Sequence, residues 1–300
     1  MAGPLSEFPA TQAGQSLRVL LWDRDLVDMW VLDDAGERVP FRGKGSVWHA
    51  HTDCELTCIT NGDGILQVGD HSGRFSAPDC LLLGSEVPHV WKARADSAGV
   101  SLQFRTDAPL MSAPELASLT RLWSHARHGL RLTGATAEHL RAELQLFAGL
   151  PATVRLGRFI ALLDVLRRGH ATDAVPLSAR AHTALRVGED DRAMGRVLDH
   201  LIAHFTDEIR LDDLVRMSGC SPATFARRFT RLTGTTVVDY LHALRIQEVQ
   251  RVLLESDRPV TDIAFAAGFN NLAHFNAIFK RRAGCSPSQY RKQQRMIGAT

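Results

Sequence analysis

The chain of 300 residues has no run near the roughly 18 apolar residues that a membrane helix needs. Its first stretch, MAGPLSEFPATQAGQSLRVL, lacks the basic-then-apolar layout of a secretory signal. Together these absences predict a cytoplasmic protein with no membrane partner. Cysteine is scarce and scattered. Cys54, Cys58, Cys80, Cys220 and Cys285 offer no CxxC pair of zinc or redox spacing, so reduced thiols are expected. A large excess of charge is also missing, since the formal net charge is +2, and the distribution of charge therefore says more than its sum. What is present, 45% apolar and 23% charged residues, suits an ordinary protein of about two domains with substantial cores.

From about residue 17 to 106 the chain reads as short β-favouring runs, VWHAH, ELTCIT, ILQV, LLLG, HVWKA and VSLQF, separated by Gly, Asp, Asn and Pro turns. That spacing predicts an antiparallel barrel or sandwich. From about 113 the texture becomes helical, with Leu, Phe or Ile at three- and four-residue intervals. Leu116, Leu119, Leu122 and Trp123, with Phe159, Leu162, Leu163 and Leu166, form apolar faces able to pack on the barrel or to pair two subunits. The polar stretch HATDAVPLSARAHTALRVGED reads as a linker.

The last third is helical and contains a repeat. Phe225, Phe229, Gly234 and Tyr240 recur as Phe275, Phe279, Gly284 and Tyr290 at one offset, so one supersecondary unit is used twice. In the first copy a helix bearing Leu211, Leu214 and Val215 reaches a turn at Gly219. A second helix opens at Ser221-Pro222, a serine cap followed by a proline with no N–H to lose. Phe225 and Phe229 face inward, which leaves Ser221, Ala223, Thr224, Arg227, Arg228 and Arg231 outside. The second copy repeats the plan with Thr261 as N-cap, Gly268 in the turn and Asn270 or Asn271 as the next cap. Ala264 and Ala267 lie where two helices cross closely. Asn270, Asn271, Ala273, His274, Asn276, Lys280, Arg281 and Arg282 fall on the exposed side. Two helices joined by a Gly turn, the second exposing small polar and basic side chains, describe a helix-turn-helix, and its duplication points to double-stranded DNA. Between the copies a long helix offers Val238, Leu241, Leu244, Ile246, Val249, Val252 and Leu253 for burial and sets the distance between two reading heads.

Residues 190 to 295 resemble the DNA-binding domain of the AraC/XylS family of bacterial transcription regulators. The matching stretches are SPATFARRF with TG after it, YLHALRI, DIAFAAGFNNLAHF, FKRRAG and SPSQYRK. The resemblance implies paired helix-turn-helix units, at about 211–234 and 260–284, flanking a connecting helix. Where the family often has arginine between the phenylalanines of the second copy, this chain has Ala277, while the first copy keeps Arg227. Arginine can grip guanine with two hydrogen bonds and alanine offers at most a methyl contact, so the first copy is expected to supply the sharper base preference.

The stretch WHAHTDCEL poses a separate question. On a strand, residues two apart share a face, so His49 and His51 project together, and Glu55 joins them if the chain turns at Thr52-Asp53. His89 follows in SAPDCLLLGSEVPHVW. Three imidazoles and a carboxylate suit a divalent transition metal such as Fe, Mn, Ni, Cu or Zn. Trp48 and Trp91 beside them can stack on a sugar or an aromatic ring, or serve as buried core. This region resembles a cupin. The first cupin motif is matched by Gly43, His49, His51, Glu55 and Gly62, and the second only by Gly73, Pro78, Pro88 and His89. Cys80 stands where that second motif usually has glycine, the Gly73 to Pro78 gap is one residue short, and no asparagine follows His89. Members of the AraC/XylS family commonly carry a cupin-like effector domain.

The expected architecture is therefore α+β: an antiparallel cupin-like β-barrel as sensor (1–110), a helical connector able to dimerise (111–188), and an all-α DNA-binding domain (189–300). The expected function is a non-enzymatic, sequence-specific transcription regulator of activator type. Its small-molecule effector binds at His49, His51, Glu55, His89, Trp48 and Trp91, directly or through a metal on the histidines and Glu55. A homodimer and contact with RNA polymerase would follow. The competing readings are a metal-dependent cupin enzyme, of dioxygenase or isomerase type, fused to a DNA-binding domain, and a one-state DNA-binding protein with a vestigial barrel.

Overall fold

The structure, a computed structural model, describes residues 16–43, 45–182 and 189–297. The chain divides into two compact units, residues 1–192 and 193–300. In the first, β-branched and aromatic residues alternate between turns to give β1 (Leu17–Trp22), β2 (Asp28–Leu32), β3 (Arg38–Arg42), β4 (Cys54–Asn61), β5 (Asp63–Val68), β6 (His71–Ser76), β7 (Asp79–Leu83), β8 (His89–Ala93) and β9 (Ala98–Phe104). Two short strands, β10 (Leu130–Leu132) and β11 (Ala174–Pro176), lie further along the chain. All pairings are antiparallel. One sheet runs β11-β10-β7-β4-β9-β1-β2-β3 and the other β6-β5-β8.

The first unit is thus two facing sheets, the sandwich of the two alternatives that the strand spacing left open, and not a closed barrel. The segment expected to be a strand at VWHAH is interrupted by turns after Gly45 and a bend at Thr52-Asp53. It contributes a single bridge, His49 to His89, and the seam stays open. Strand alternation sorts the side chains. On β4, Cys54, Leu56 and Cys58 enter one core, while Ile59 enters a second core between the sheets with Leu20, Trp22, Leu66, Phe75, Leu81 and Trp91.

The helical segments α1 (Thr120–Ala126), α2 (Gly134–Leu144) and α3 (Ala152–Gly169) cover the other face of the large sheet. Leu119, Leu122, Phe159, Leu162, Leu163 and Leu166 are buried there with Leu56, Leu82, Leu102 and Phe104. Each such side chain contributes about 1.5–3 kcal/mol by leaving water, and the chain's own sheet already collects that stabilisation. Of the two roles open to these residues, packing on the sheet is the one they take here.

Two further expectations change. The linker read at 170–190 contains β11, paired with β10, and only residues 183–188 of it lie outside the described residues. The thiols expected to be reduced include a disulfide between Cys58 and Cys80. These two are direct cross-strand partners in the β4–β7 ladder, with Cα atoms 4.2 Å apart, a proximity invisible in their separation of 22 residues. Cys54 is buried, and burial pushes its thiol up to about 12, which makes it an inert packing residue.

The second unit is wholly helical: α4 (Glu189–His204), α5 (Leu211–Ser218), α6 (Pro222–Thr233), α7 (Val237–Glu255), α8 (Val260–Ala266), α9 (Leu272–Ala283) and α10 (Pro287–Ile297). The repeat seen in the sequence recurs in geometry. Phe225 and Phe229 lie 5.9 Å apart and Phe275 and Phe279 5.8 Å; Phe229 meets Tyr240 edge-on at 5.6 Å and Phe279 meets Tyr290 edge-on at 5.7 Å. Gly234 and Gly284 end α6 and α9 at φ 73° and 76°, the left-handed conformation that favours glycine. On α7, Tyr240, Leu244, Ile246, Val249 and Leu253 are buried, whereas Val238, in its first turn, is exposed, as is Leu211 at the start of α5.

Candidate functional site

Two places gather polar chemistry. In the first unit, the chain bends at Thr52-Asp53, as the sequence required, and carries His51 and Glu55 into the space between the sheets. His49 and His51 do not share a regular strand, yet their rings approach to 5.7 Å, and His89 lies 4.2 Å from His49 and 5.2 Å from His51. One nitrogen from each of the three falls within 4.8 Å of the others. Each Nδ1 meets a backbone carbonyl two residues away in sequence: His49 on Val47 and His89 on Val87 at 2.8 Å, His51 on Asp53 at 2.9 Å. A carbonyl only accepts, so Nδ1 carries the proton in all three rings; His49 and His89 as neutral imidazoles keep a lone pair at Nε2, whereas His51 Nε2 donates to the Glu55 carboxylate.

Glu55 closes the group. Its Oε2 lies 3.1 Å from His51 Nε2 and 3.9 Å from His89 Nε2, and it accepts from Gln103 Nε2 at 2.8 Å; Thr57 donates to Oε1 at 2.6 Å. Arg18 in turn donates through Nε to Gln103 Oε1 at 3.0 Å. Burial opposes ionisation of Glu55, but the His51 hydrogen bond, the His89 and His51 charges and the Thr57 hydroxyl hold it well below the usual carboxylate range. Burial likewise works against the charged form of His51, but its hydrogen bond and charge pairing with Glu55 raise it. Burial and the neighbouring imidazoles push His49 well below its ordinary value, and burial brings His89 down to about 4. His89 Nε2 is buried with no hydrogen-bond partner among the described residues, and so is Trp91 Nε1.

The cavity beside the cluster measures about 30 Å³ and is lined by His49, Glu55, Thr57, Trp91, Ser101 and Gln103 among others. That volume admits a water molecule or an ion. Trp91 is buried edge-on against His89 at 4.7 Å, the core alternative of the two open to it, whereas Trp48 is half-buried and absent from the lining. Thr57, Ser101, Gln103 and Arg18 escaped the sequence reading. Their signal was period two: Glu55 and Thr57 alternate on β4 opposite Gln103 and Ser101 on β9, polar residues on the inward face of strands whose other face is apolar.

In the second unit, Ser221 caps α6 by accepting from Thr224 N–H, and Asn271 caps α9 by accepting from His274 N–H at 2.9 Å. Thr261 does not cap α8, which begins at Val260 after Pro259. Ala264 and Ala267 are buried at the crossing, and Gly219 and Gly268 take φ of 67° and 89° in the two turns. A Cβ on Gly268 would stand 2.6 Å from Thr206 O, so only glycine fits that turn. Ala223, Arg227 and Arg231 are exposed on α6 with Ser221, while Thr224 and Arg228 are half-buried. Asn270, Asn271, Ala273, His274, Asn276, Lys280 and Arg281 are all exposed on or just before α9. Arg281 lies 3.7 Å from Asp239, and Arg282 donates to the Asp239 carbonyl at 2.7 Å.

A family model described as a helix-turn-helix domain matches residues 214–293. The HTH-type transcriptional activator RhaR of Escherichia coli O139:H28 (strain E24377A / ETEC) is 23% identical over 254 residues, 81% of this chain and 86% of the relative, an alignment too long to lie within either unit. Among solved structures, the DNA-binding domain of AdpA, in complex with a target DNA, is 30% identical over 36% of this chain and 94% of its own, with a TM-score of 0.32. Residues 214–293 thus form a helix-turn-helix domain, and over most of its length the chain is similar to transcription regulators of the AraC/XylS type. ToxT from Vibrio cholerae is 14% identical and covers 92% of this chain and 98% of its own, with a TM-score of 0.35. Among the described residues no helix is long and apolar enough to cross a membrane.

Proposed function

We propose that this protein is an AraC/XylS-type transcription activator that binds double-stranded DNA through α6 and α9 and is controlled by a divalent transition metal held in a cupin-like first unit by His49, His51 and His89, with Glu55 beside them. The observation that carries the metal is the Nδ1–carbonyl hydrogen bond common to the three rings. It leaves Nε2 as the ligand atom of each ring, free of any partner on His89 and, on His51, available once the proton it shares with Glu55 is displaced. The donor set, three imidazoles and a carboxylate, fits a first-row ion from Mn to Zn, and such an ion would supply the positive charge that this cluster of lone pairs and carboxylate is built to receive. Gln103, Thr57 and Arg18 hold Glu55 in place, so the pocket is organised before anything binds.

The water-sized cavity of about 30 Å³ beside the cluster accommodates a water molecule or an ion, which supports an ion as effector. On the DNA side, exposed Arg227 suits bidentate contact to guanine in the major groove, and Lys280 suits phosphate. The name of the RhaR relative supports activation. Binding of two copies would place four reading helices on DNA, with α1 to α3 contributing only their outer surfaces.

The test is elemental mass spectrometry on full-length protein purified without a histidine tag, beside His51→Ala, with DNA binding measured before and after chelation. About one metal per chain, lost in the variant, and a chelator-dependent change in affinity are expected. No metal in either protein would overturn the metal and leave the histidines as pocket walls.

A further inference from the structure

Between β11 and the second unit the chain crosses residues 177–182, which lack regular structure and are nevertheless tied down. Leu177, Ser178 and His182 donate their backbone N–H groups to the carbonyls of Gly129, His128 and Arg127, each at 2.8 Å. Side chains add a knot. Ser178, buried at 2% exposure, donates from Oγ to Asp70 Oδ1 at 2.6 Å and stands 3.0 Å from His182 Nε2; Ala179 N–H donates to the same Asp70 oxygen at 3.0 Å.

Asp70 belongs to the two-residue turn Gly69-Asp70 between β5 and β6. The strap lies directly on that turn, because a Cβ built on Gly69 would come 2.0 Å from His182 Nε2, and Gly69 itself has φ +54°. The same turn reaches the histidine cluster. Gly69 N–H donates to Pro88 O at 2.8 Å, Val68 pairs with His89 in the β5–β8 ladder, and His89 exchanges both backbone hydrogen bonds with His49, at 2.8 and 3.1 Å. Two hydrogen-bonded steps therefore separate the orphaned imidazole of His89 from the strap.

We infer that Asp70, with Ser178 and His182, is the positioning element that couples the histidine cluster to the tether leading into the DNA-binding unit. The coupling rests on the reading of the cluster as a sensor. A shift of the Pro88–His89 peptide on ligation moves the Gly69-Asp70 turn and with it the hold on 177–182.

The experiment compares full-length wild type, Asp70→Ala and Asp70→Asn by amide hydrogen exchange in the peptide spanning 177–182, by thermal melting, and by affinity for a duplex selected from a random library with the wild-type protein. Asp70→Ala is expected to speed exchange at Ser178 and Ala179 and to change the DNA dissociation constant by about fivefold or more, while Asp70→Asn, which keeps an acceptor oxygen, restores both. Unchanged exchange, or a released strap with unchanged DNA affinity, would overturn the inference. Should Asp70→Ala fail to fold, Ser178→Ala removes the same contact with one atom. Zinc(II) then separates the two claims. Zinc that binds both wild type and Asp70→Ala, but changes DNA affinity only in wild type, supports the coupling; an equal response in both overturns it. Wild type that neither binds nor responds to zinc overturns the metal reading alone and leaves the Asp70 comparison standing.

Discussion

Arg227 shows what a single side chain can decide. It stands exposed on α6, while Arg282, equally basic in the sequence, is spent on the Asp239 carbonyl. Arg227→Ala should cost about 1–3 kcal/mol at one base position, read as a flattened preference there across single-position operator variants. Lys280→Ala should instead weaken binding alike on specific and random DNA and lower the salt slope by about 1. An equal loss for Arg227→Ala on both kinds of DNA would reassign it to phosphate. The caps were legible because Ser221 and Asn271 act within three residues; Asn271→Ala should cost about 1 kcal/mol in urea unfolding. Arg282 was not legible, because its partner lies 43 residues away on another helix.

At the scale of elements, periodicity carried the helices and local alternation carried most strands. Phe225, Phe229, Phe275 and Phe279 were assigned inward by their spacing and are all buried. Phe279→Ala should therefore cost about 3–5 kcal/mol, measured by denaturant unfolding. An effect below about 1 kcal/mol would mean that the second repeat is not packed as described. What failed were elements decided by tertiary pairing. Three residues, Ala174–Pro176, make β11 only because β10 offers an edge, and VWHAH reads as a strand yet gains a single bridge. His49 and His51 still converge with His89, since the bend at Thr52-Asp53 and the β8 register bring them together without a regular strand. The inward polar ladder of Thr57, Ser101 and Gln103 needed the β4–β9 register, which no single sequence states.

For the whole molecule, the duplication predicts the footprint. If α6 and α9 read one face of the duplex, hydroxyl-radical protection by one chain should fall in two patches about 34 Å apart, one helical turn. The patch under α6 should tolerate fewer base changes than the patch under α9, because Arg227 has its counterpart in Ala277. A single continuous patch would indicate that one repeat alone enters the groove.

The Cys58–Cys80 bond closes a loop of 22 residues that contains all of β5 and β6, the hairpin bearing the Gly69-Asp70 turn. Such a ring deprives the unfolded ensemble of conformational freedom, and loop-closure entropy for this length is worth about 3 kcal/mol. The first unit should accordingly melt at a lower temperature after reduction, while the all-helical second unit, whose described cysteines Cys220 and Cys285 are unbonded, should melt unchanged. The resilience of the first unit is then set partly by the thiol balance of its surroundings, through a loop that the oxidised protein never fully lets go.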